Sequence, residues 1–262
     1  MTLLCLDVGN RSSVLGLWDD AEPSLRSRWT ISSDVARTAD EWHLAIRGFL
    51  GAAGLGADEI TAVSMCCTVP SIGGEMRIML ERYFDHVPAW VVGPGVRTGV
   101  AIHTDNPREV GADRIVNALA GVHLYGGPSI IVDLDGTATC VDAIDAEGRY
   151  LGGAIAPGIE VSLEALARRG AQLRSVEVAE PRGVIGKNTV EAIQSGAIYG
   201  FAGLVDGLVD RMIAAIGGDD VTVAATGPYA ETIMEHSRTV VEYEENLTLI
   251  GLRLVHEKNS EL

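Results

Sequence analysis

The chain has 262 residues, 47% of them hydrophobic, with 36 acidic against 20 basic side chains and a formal net charge of −16 at pH 7. That length holds one large or two modest domains around a sizeable core, and the acidic balance argues against nucleic acid or an anionic membrane surface as partner, since both demand a basic face. No apolar run reaches the roughly 18 residues of a membrane span, and the opening MTLLCLDVG meets an acid too early for a signal peptide, so a cytoplasmic protein is expected.

Residues 3–20, LLCLDVGNRSSVLGLWDD, read as an apolar strand ending at Asp7, a glycine turn with small polar residues, and a second apolar strand closed by acids. Thr38-Ala-Asp-Glu41 is a capping box that opens a helix carrying Trp42, Ala45, Ile46, Phe49 and Leu50 at helical spacing. A strand at 60–65, a helix at about 73–84 and a strand at 89–93 follow. Gly111 and Ala112 open the next helix, whose apolar face is Ile115, Leu119 and Val122. Residues 130–148, IIVDLDGTATCVDAIDAEG, then repeat the plan of the first hairpin. Strands near 150–154 and 220–225 and helices near 158–168, 189–215, 229–236 and 245–256 complete an α/β chain. No Pro/Ser-rich linker separates the halves, so two closely packed lobes with a cleft between them are expected. In the long helix Gly196, Gly200, Gly203 and Gly207 fall along one face, which points to a backbone packed very close, either in the same chain, the safer reading, or in a second subunit.

The duplicated hairpin has chemical meaning. A glycine turn lets N–H groups approach an anion, and the Asp at the strand end can hold a divalent cation that neutralises it. Two such hairpins facing each other would clamp a nucleoside triphosphate; the bland alternative is two ordinary hairpins sharing common turn residues. Other phosphate motifs fail: PRGVIGKNT lacks the first glycine and the hydroxyl of a Walker loop, and GPGVRTG is not followed by the helix of a dinucleotide fold. Cys5, Cys66, Cys67 and Cys140 read as small core residues rather than a disulfide or zinc set, and the six histidines show no metal-binding spacing. Asp113 and Arg114 stand in the first turn of their helix, where the helix dipole favours a carboxylate and an arginine can hold an anionic substrate. Asp113 is thus a candidate base for a substrate hydroxyl, or merely a helix cap.

The segments DVGN, PGVRTG, DNPREVGADRIVNALAG, GTAT, GRYLGGAIAPGIEVSLEALARR, GKNTVEAIQSGAIYGFAGLVDGL and LTLIGLRLVHEKN, in that order, resemble type III pantothenate kinase over essentially the whole chain. The resemblance implies the fold of the acetate and sugar kinase, Hsp70 and actin superfamily, with two ribonuclease-H-like lobes, 1–118 and 119–262. It implies ATP-dependent phosphorylation of pantothenate to 4′-phosphopantothenate, the first step of coenzyme A synthesis, with Mg²⁺, a monovalent cation (K⁺ or NH₄⁺) and a homodimer. By the same resemblance Asp7, Val8, Gly9, Asn10, Arg11, Ser12, Ser13 and Val14 form the first phosphate loop, with Asp7 holding Mg²⁺ through water, and Thr137 contacts ATP. Gly111, Ala112, Asp113, Arg114 and Thr189 line the pantothenate site, Asp113 as the base. Asp133 is the monovalent-cation ligand.

The chain departs from the family pattern around the nucleotide. Arg11 and Ser12 replace Thr and Asn or His, so that Arg11 either binds phosphate or blocks the site. Asp133-Leu134-Asp135-Gly136 is one residue longer than usual: either Asp133 keeps its role with a bulge after it, the preferred reading because Leu134 then faces the core, or Asp135 takes its place. Thr226-Gly227-Pro228 stands where Thr-Gly-Gly is usual, removing one N–H donor, and Thr104 stands where many members have Tyr. Two further readings remain open, a catalytically impaired relative with a binding or regulatory role and a kinase for another small hydroxy acid.

Overall fold

The computed structural model describes residues 1–19, 22–170, 176–217 and 220–260. Its elements in chain order are β1 (Thr2–Val8), β2 (Ser12–Asp19), β3 (Glu22–Ser32), α1 (Ala39–Ala52), β4 (Ala62–Cys67), α2 (Pro70–Tyr83), β5 (Ala89–Val91), α3 (Ala112–Tyr125), β6 (Ser129–Leu134), β7 (Ala138–Ile144), β8 (Tyr150–Pro157), α4 (Ile159–Arg169), α5 (Thr189–Ile216), β9 (Thr222–Thr226), α6 (Ala230–Met234), β10 (Glu242–Tyr243) and α7 (Leu247–Ser260).

The strands form two five-stranded sheets of the same order, β3-β2-β1-β4-β5 and β8-β7-β6-β9-β10. In each, three strands run antiparallel as a meander, and the first of them pairs in parallel with a fourth, which pairs in parallel with a fifth. The repeat seen in the two hairpins is therefore a repeat of whole sheets. The third strand of the first sheet, β3, is not anticipated above, although its pattern is plain in the structure. Leu25, Ser27, Trp29 and Ile31 are half-buried and alternate with exposed Arg26, Arg28 and Thr30, as expected of an edge strand with one wet face. Arginines at alternate positions obscure that signal in the sequence.

The chain divides into two compact units: Met1–Gly99 with Arg108–Ala120 and the C-terminal stretch from Thr248, and Val100–Pro107 with Gly121–Leu247. The boundary expected at 118/119 lies beside the crossing at 120/121, but α7 packs in the first unit rather than the second. The reason is local. Leu249 fills the space over Gly16, Val116 lies against Gly251, and the Thr248 hydroxyl donates to Asn117 Oδ1 at 2.8 Å.

In the first unit α1 begins at the capping box, with Glu41 N donating to Thr38 Oγ1 at 3.4 Å and Thr38 N to Glu41 Oε2 at 2.8 Å. It buries Trp42, Ile46 and Leu50 against Leu4, Leu6 and Met65 of the sheet. Helix α2 starts three residues before the expected position, because Pro70 sits at a first-turn site where its missing N–H costs nothing. In the second unit α5 presents Ile198, Val205 and Val209 to a core with Ile130, Val132 and Val141. By length and composition α5 is apolar enough to cross a membrane. It carries the buried Asp206 in its middle, however, and that carboxylate accepts from Ser237 Oγ at 2.7 Å, Thr239 Oγ1 at 2.8 Å and the backbone N–H groups of Arg238 and Thr239. Burial alone would raise its pKa; the hydrogen bonds outweigh burial and hold it below the ordinary carboxylate value. Among the described residues the close intrachain neighbour expected along the glycine stripe is not there: apart from the helix's own backbone, no atom lies within 4 Å of where a side chain would begin at Gly196, Gly200 or Gly203.

Candidate active site

The first turn, Gly9 to Ser12, joins β1 and β2, which pair in the register Asp7↔Val14 and Val8↔Ser13. It is tight: Gly9 N donates to Ser12 O at 3.2 Å, and a side chain at Gly9 would begin 2.9 Å from that same carbonyl. Asn10 and Arg11 are exposed at its tip. Ser13 is buried, with its hydroxyl 2.8 Å from that of Ser33, so it ties β2 to the chain after β3 instead of facing the turn's mouth. The end of β4 braces the turn from behind, since Thr68 donates to Val8 O through both its N–H at 3.0 Å and its hydroxyl at 3.2 Å.

Asp7 is half-buried beside Cys66, its register partner on β4. The Cys66 thiol donates to Asp7 Oδ1 at 3.3 Å. Cys66 is fully buried, and burial first, then the charges of Asp7 and Asp113, push its thiol well above the ordinary value. Asp113 is the second residue of α3, half-buried, with Oδ1 2.5 Å from where a side chain at Gly111 would begin. Any larger residue at 111 would displace that carboxylate. Ile115 N donates to Gly111 O at 3.2 Å as the first bond of the helix, so Gly111, Ala112, Asp113 and Arg114 form one compact turn.

The second turn repeats the first. The register Asp133↔Cys140 and Leu134↔Thr139 leaves four residues, 135–138, where the first hairpin leaves four, 9–12. There is no bulge after Asp133: the strand runs regularly through Leu134, which is buried in the core, and the glycine simply falls one place later in a turn of equal length. Asp133 holds the strand position equivalent to Asp7, with Thr226 beside it on β9, and Gly227 lies against Asp133 Oδ1 and the Leu134 carbonyl. Asp135 instead bends back, accepting Gly136 N at 2.8 Å. The start of α4 docks on this turn, Gly158 N donating to Thr137 O at 3.0 Å and Val161 N to Gly136 O at 3.2 Å. Glu160, which accepts from the Tyr229 hydroxyl, lies over Gly136.

Thr189 is the first residue of α5, exposed, after an N-cap in which Asn188 Oδ1 accepts from Glu191 N at 3.0 Å. It lines a groove of about 390 Å³ between α4 and α5 with Leu163, Leu166, Ile193, Gly196 and Phe201. Sequence reasoning missed Cys66, Glu160 and Tyr229. Cys66 reads as a core cysteine unless the β1–β4 register is known, and no spacing in the chain announces the other two. It also missed that the fold brings His236 Nε2 to 3.5 Å from Glu180 Oε1, with Glu235 completing a group whose ligand atoms lie within 4.8 Å of one another.

Comparison with known proteins agrees with this geometry. Among solved structures, a protein described as a Baf family transcriptional activator from Campylobacter jejuni superposes with a TM-score of 0.60 over 99% of this chain and 100% of its own at 16% identity. A ROK hexokinase from Thermus thermophilus does so with a TM-score of 0.52 over 97% and 98% at 17% identity. At such identities the likeness shows the fold, that of the acetate and sugar kinases, as expected. The sequence relatives go further. The type III pantothenate kinase of Streptomyces coelicolor is 55% identical over 98% of both chains, and that of Thermobifida fusca 53% identical over 98% of this chain and 100% of its own. The family profile for type III pantothenate kinase matches residues 3–211, a span that takes in both glycine turns, Asp113 and the start of α5. The chain belongs to the type III pantothenate kinase family.

Proposed function

We propose that the chain transfers the γ-phosphate of ATP to the primary hydroxyl of pantothenate, giving 4′-phosphopantothenate at the entry to coenzyme A synthesis, with Asp113 as the base. Family membership carries the reaction. The observation that carries the residue roles is that the first turn, with Asp7, and the Gly111–Arg114 turn, with Asp113, belong to one compact unit. Phosphoryl transfer asks little covalent chemistry of the protein; it asks for an aligned hydroxyl and for donors that absorb charge on the phosphate. Asp113 takes the hydroxyl proton, Arg114 pairs with the pantothenate carboxylate, and the backbone of Gly9 to Ser12 with the exposed Arg11 faces the phosphates.

Asp7, half-buried at the end of β1, is the kind of oxygen donor a hard divalent cation prefers, so it fits Mg²⁺ held through water. When bound, Mg²⁺ supplies neutralisation of the phosphate oxygens. In the second unit, Asp133 Oδ1 and the Leu134 carbonyl beside Gly227 offer the oxygen set that suits a larger monovalent cation, K⁺ or NH₄⁺, and Thr137 contacts ATP. The protein acts in the cytoplasm as a homodimer, in which the uncovered glycine stripe and the exposed Val161, Leu166 and Val190 meet a second copy and Thr189 reaches pantothenate. The test is transfer of labelled γ-phosphate from ATP to pantothenate by purified protein, with Mg²⁺ and with K⁺ present or omitted. Product that requires Mg²⁺ and increases with K⁺ is expected; no product from folded protein at high ATP would overturn the reading.

A specific observation favours a second reading. The Gly136 N–H is already taken by Asp135 and Glu160 covers the same turn, so a chain that binds its ligands without turnover would show this closed second turn. Measurable phosphotransfer removes that reading.

A further inference from the structure

We propose that Cys66 is a positioning residue for phosphoryl transfer: its S–H, donated to Asp7 Oδ1, fixes the rotation of the Asp7 carboxylate and so the placing of the divalent cation on the first turn. The proposal rests on the assignment of Asp7 above. Asp7 and Cys66 are register partners on adjacent parallel strands, so backbone pairing holds the two side chains together. Cys66 is fully buried and cannot turn to solvent, which leaves the carboxylate as the partner for its S–H. The terminal torsion of an Asp carboxylate is broad and nearly two-fold, and a donor held on the neighbouring strand narrows it. A carboxylate that serves a metal or its waters needs that torsion set by an outer partner, and loss of such a partner typically costs 10–100-fold in metal affinity or activity. A thiol is a weak donor, which places the expected effect at the lower end.

The experiment uses Cys66→Ala, Cys66→Val and Cys66→Ser in the full chain. Cys66→Val keeps apolar volume without a donor, and Cys66→Ser keeps a donor in less volume. Two readouts are taken: the Mg²⁺ concentration for half-maximal phosphotransfer, and binding of Mn²⁺ with a non-hydrolysable ATP analogue, followed by electron paramagnetic resonance. Cys66→Ala and Cys66→Val are expected to weaken both by about tenfold, with the KM for pantothenate unchanged, and Cys66→Ser to restore both. The proposal is overturned if Cys66→Val matches the wild type while Cys66→Ser does not, because volume rather than the donor then matters. Asp7→Asn separates this from the underlying assignment. If Asp7→Asn weakens Mn²⁺ binding and Cys66→Ala and Cys66→Val do not, the proposal alone fails; if Asp7→Asn binds Mn²⁺ as the wild type does, the role of Asp7 is wrong and the proposal falls with it.

Discussion

The two glycine turns are built on the same register, with a carboxylate one residue from the strand end and four residues to the return, yet their surroundings differ. Beside Asp7, strand β4 supplies the Cys66 thiol, and Thr68 just past its end braces the turn through Val8 O, with Asn10 and Arg11 at an exposed tip. Beside Asp133, β9 supplies Thr226 and Gly227, and the start of α4 takes the carbonyls of Gly136 and Thr137. Duplication fixes where a carboxylate stands. What the carboxylate can do is set by the neighbouring strand and by whether a helix closes the turn. The first turn closes on itself through the Gly9 N–H and leaves its tip exposed, whereas the second has its Gly136 N–H taken by Asp135 and two carbonyls taken by the start of α4.

If that contrast is functional, changes at the first turn and at α3 strike turnover, while changes at the second strike stability first. The largest expected effect is at Asp113. Asp113→Asn keeps the shape of the side chain and removes the base, and should lower kcat by about 10²–10⁴-fold with an unchanged melting temperature. Near-normal turnover would sink the assignment of the base and with it the functional half of the contrast. On the other side stands Gly158, where any side chain would run into the Gly136 carbonyl and the Ala138 N–H, both backbone and unable to give way. Gly158→Ala should cost on the order of 3 kcal/mol, seen as a melting temperature lower by roughly 6–12 °C. A fully stable Gly158→Ala protein would show that α4 does not close the second turn.

How much of this contrast the sequence displays can be traced residue by residue. The hairpins, the capping box at Thr38 and the helix opening at Gly111 are legible because each depends on neighbours in sequence: an Asp before a glycine turn, a Thr three residues before a Glu, an apolar face at helical spacing. Edge strand β3 is legible only in part, since its wet face carries arginines. The placing of α7 with the first unit and the meeting of Cys66 with Asp7 depend on strand order and register, which no local spacing encodes. Resemblance to the family suggests roles for Asp113 and Thr189, but not the thiol beside Asp7.

The helices behind the sheets extend the comparison. The buried face of α1 is wholly apolar, whereas α5 buries Asp206 among hydrogen-bond donors. Its folded pKa is lowered, so its contribution to stability is full above the unfolded value near pH 3.9 and is lost as pH falls through the lower folded value. Replacement by Ala leaves Ser237 and Thr239 without their acceptor and should cost about 1–3 kcal/mol at neutral pH. The gap between wild type and Asp206→Ala should shrink below about pH 4, and hydrogen exchange should show the second unit opening in acid before the first. A gap that stays constant from pH 7 to pH 3 would mean the carboxylate's charge contributes nothing there.

The smallest effect is expected at the glycine stripe, and there the sign is informative. Gly200 and Gly203 lie inside α5 with open space where a side chain would begin, so among the described residues of one protomer nothing opposes a methyl group. Alanine at either position should stabilise the isolated protomer by up to about 1 kcal/mol, the helix-propensity difference. A second copy packed on that face reverses the balance, because a methyl group pushes apart two backbones that glycine allows to approach. Gly200→Ala and Gly203→Ala should therefore raise the melting temperature at low protein concentration and weaken the dimer in sedimentation at the same time. Higher stability with an unchanged dimer would place the interface elsewhere, and would leave the stripe as four glycines that the fold of a single chain does not require.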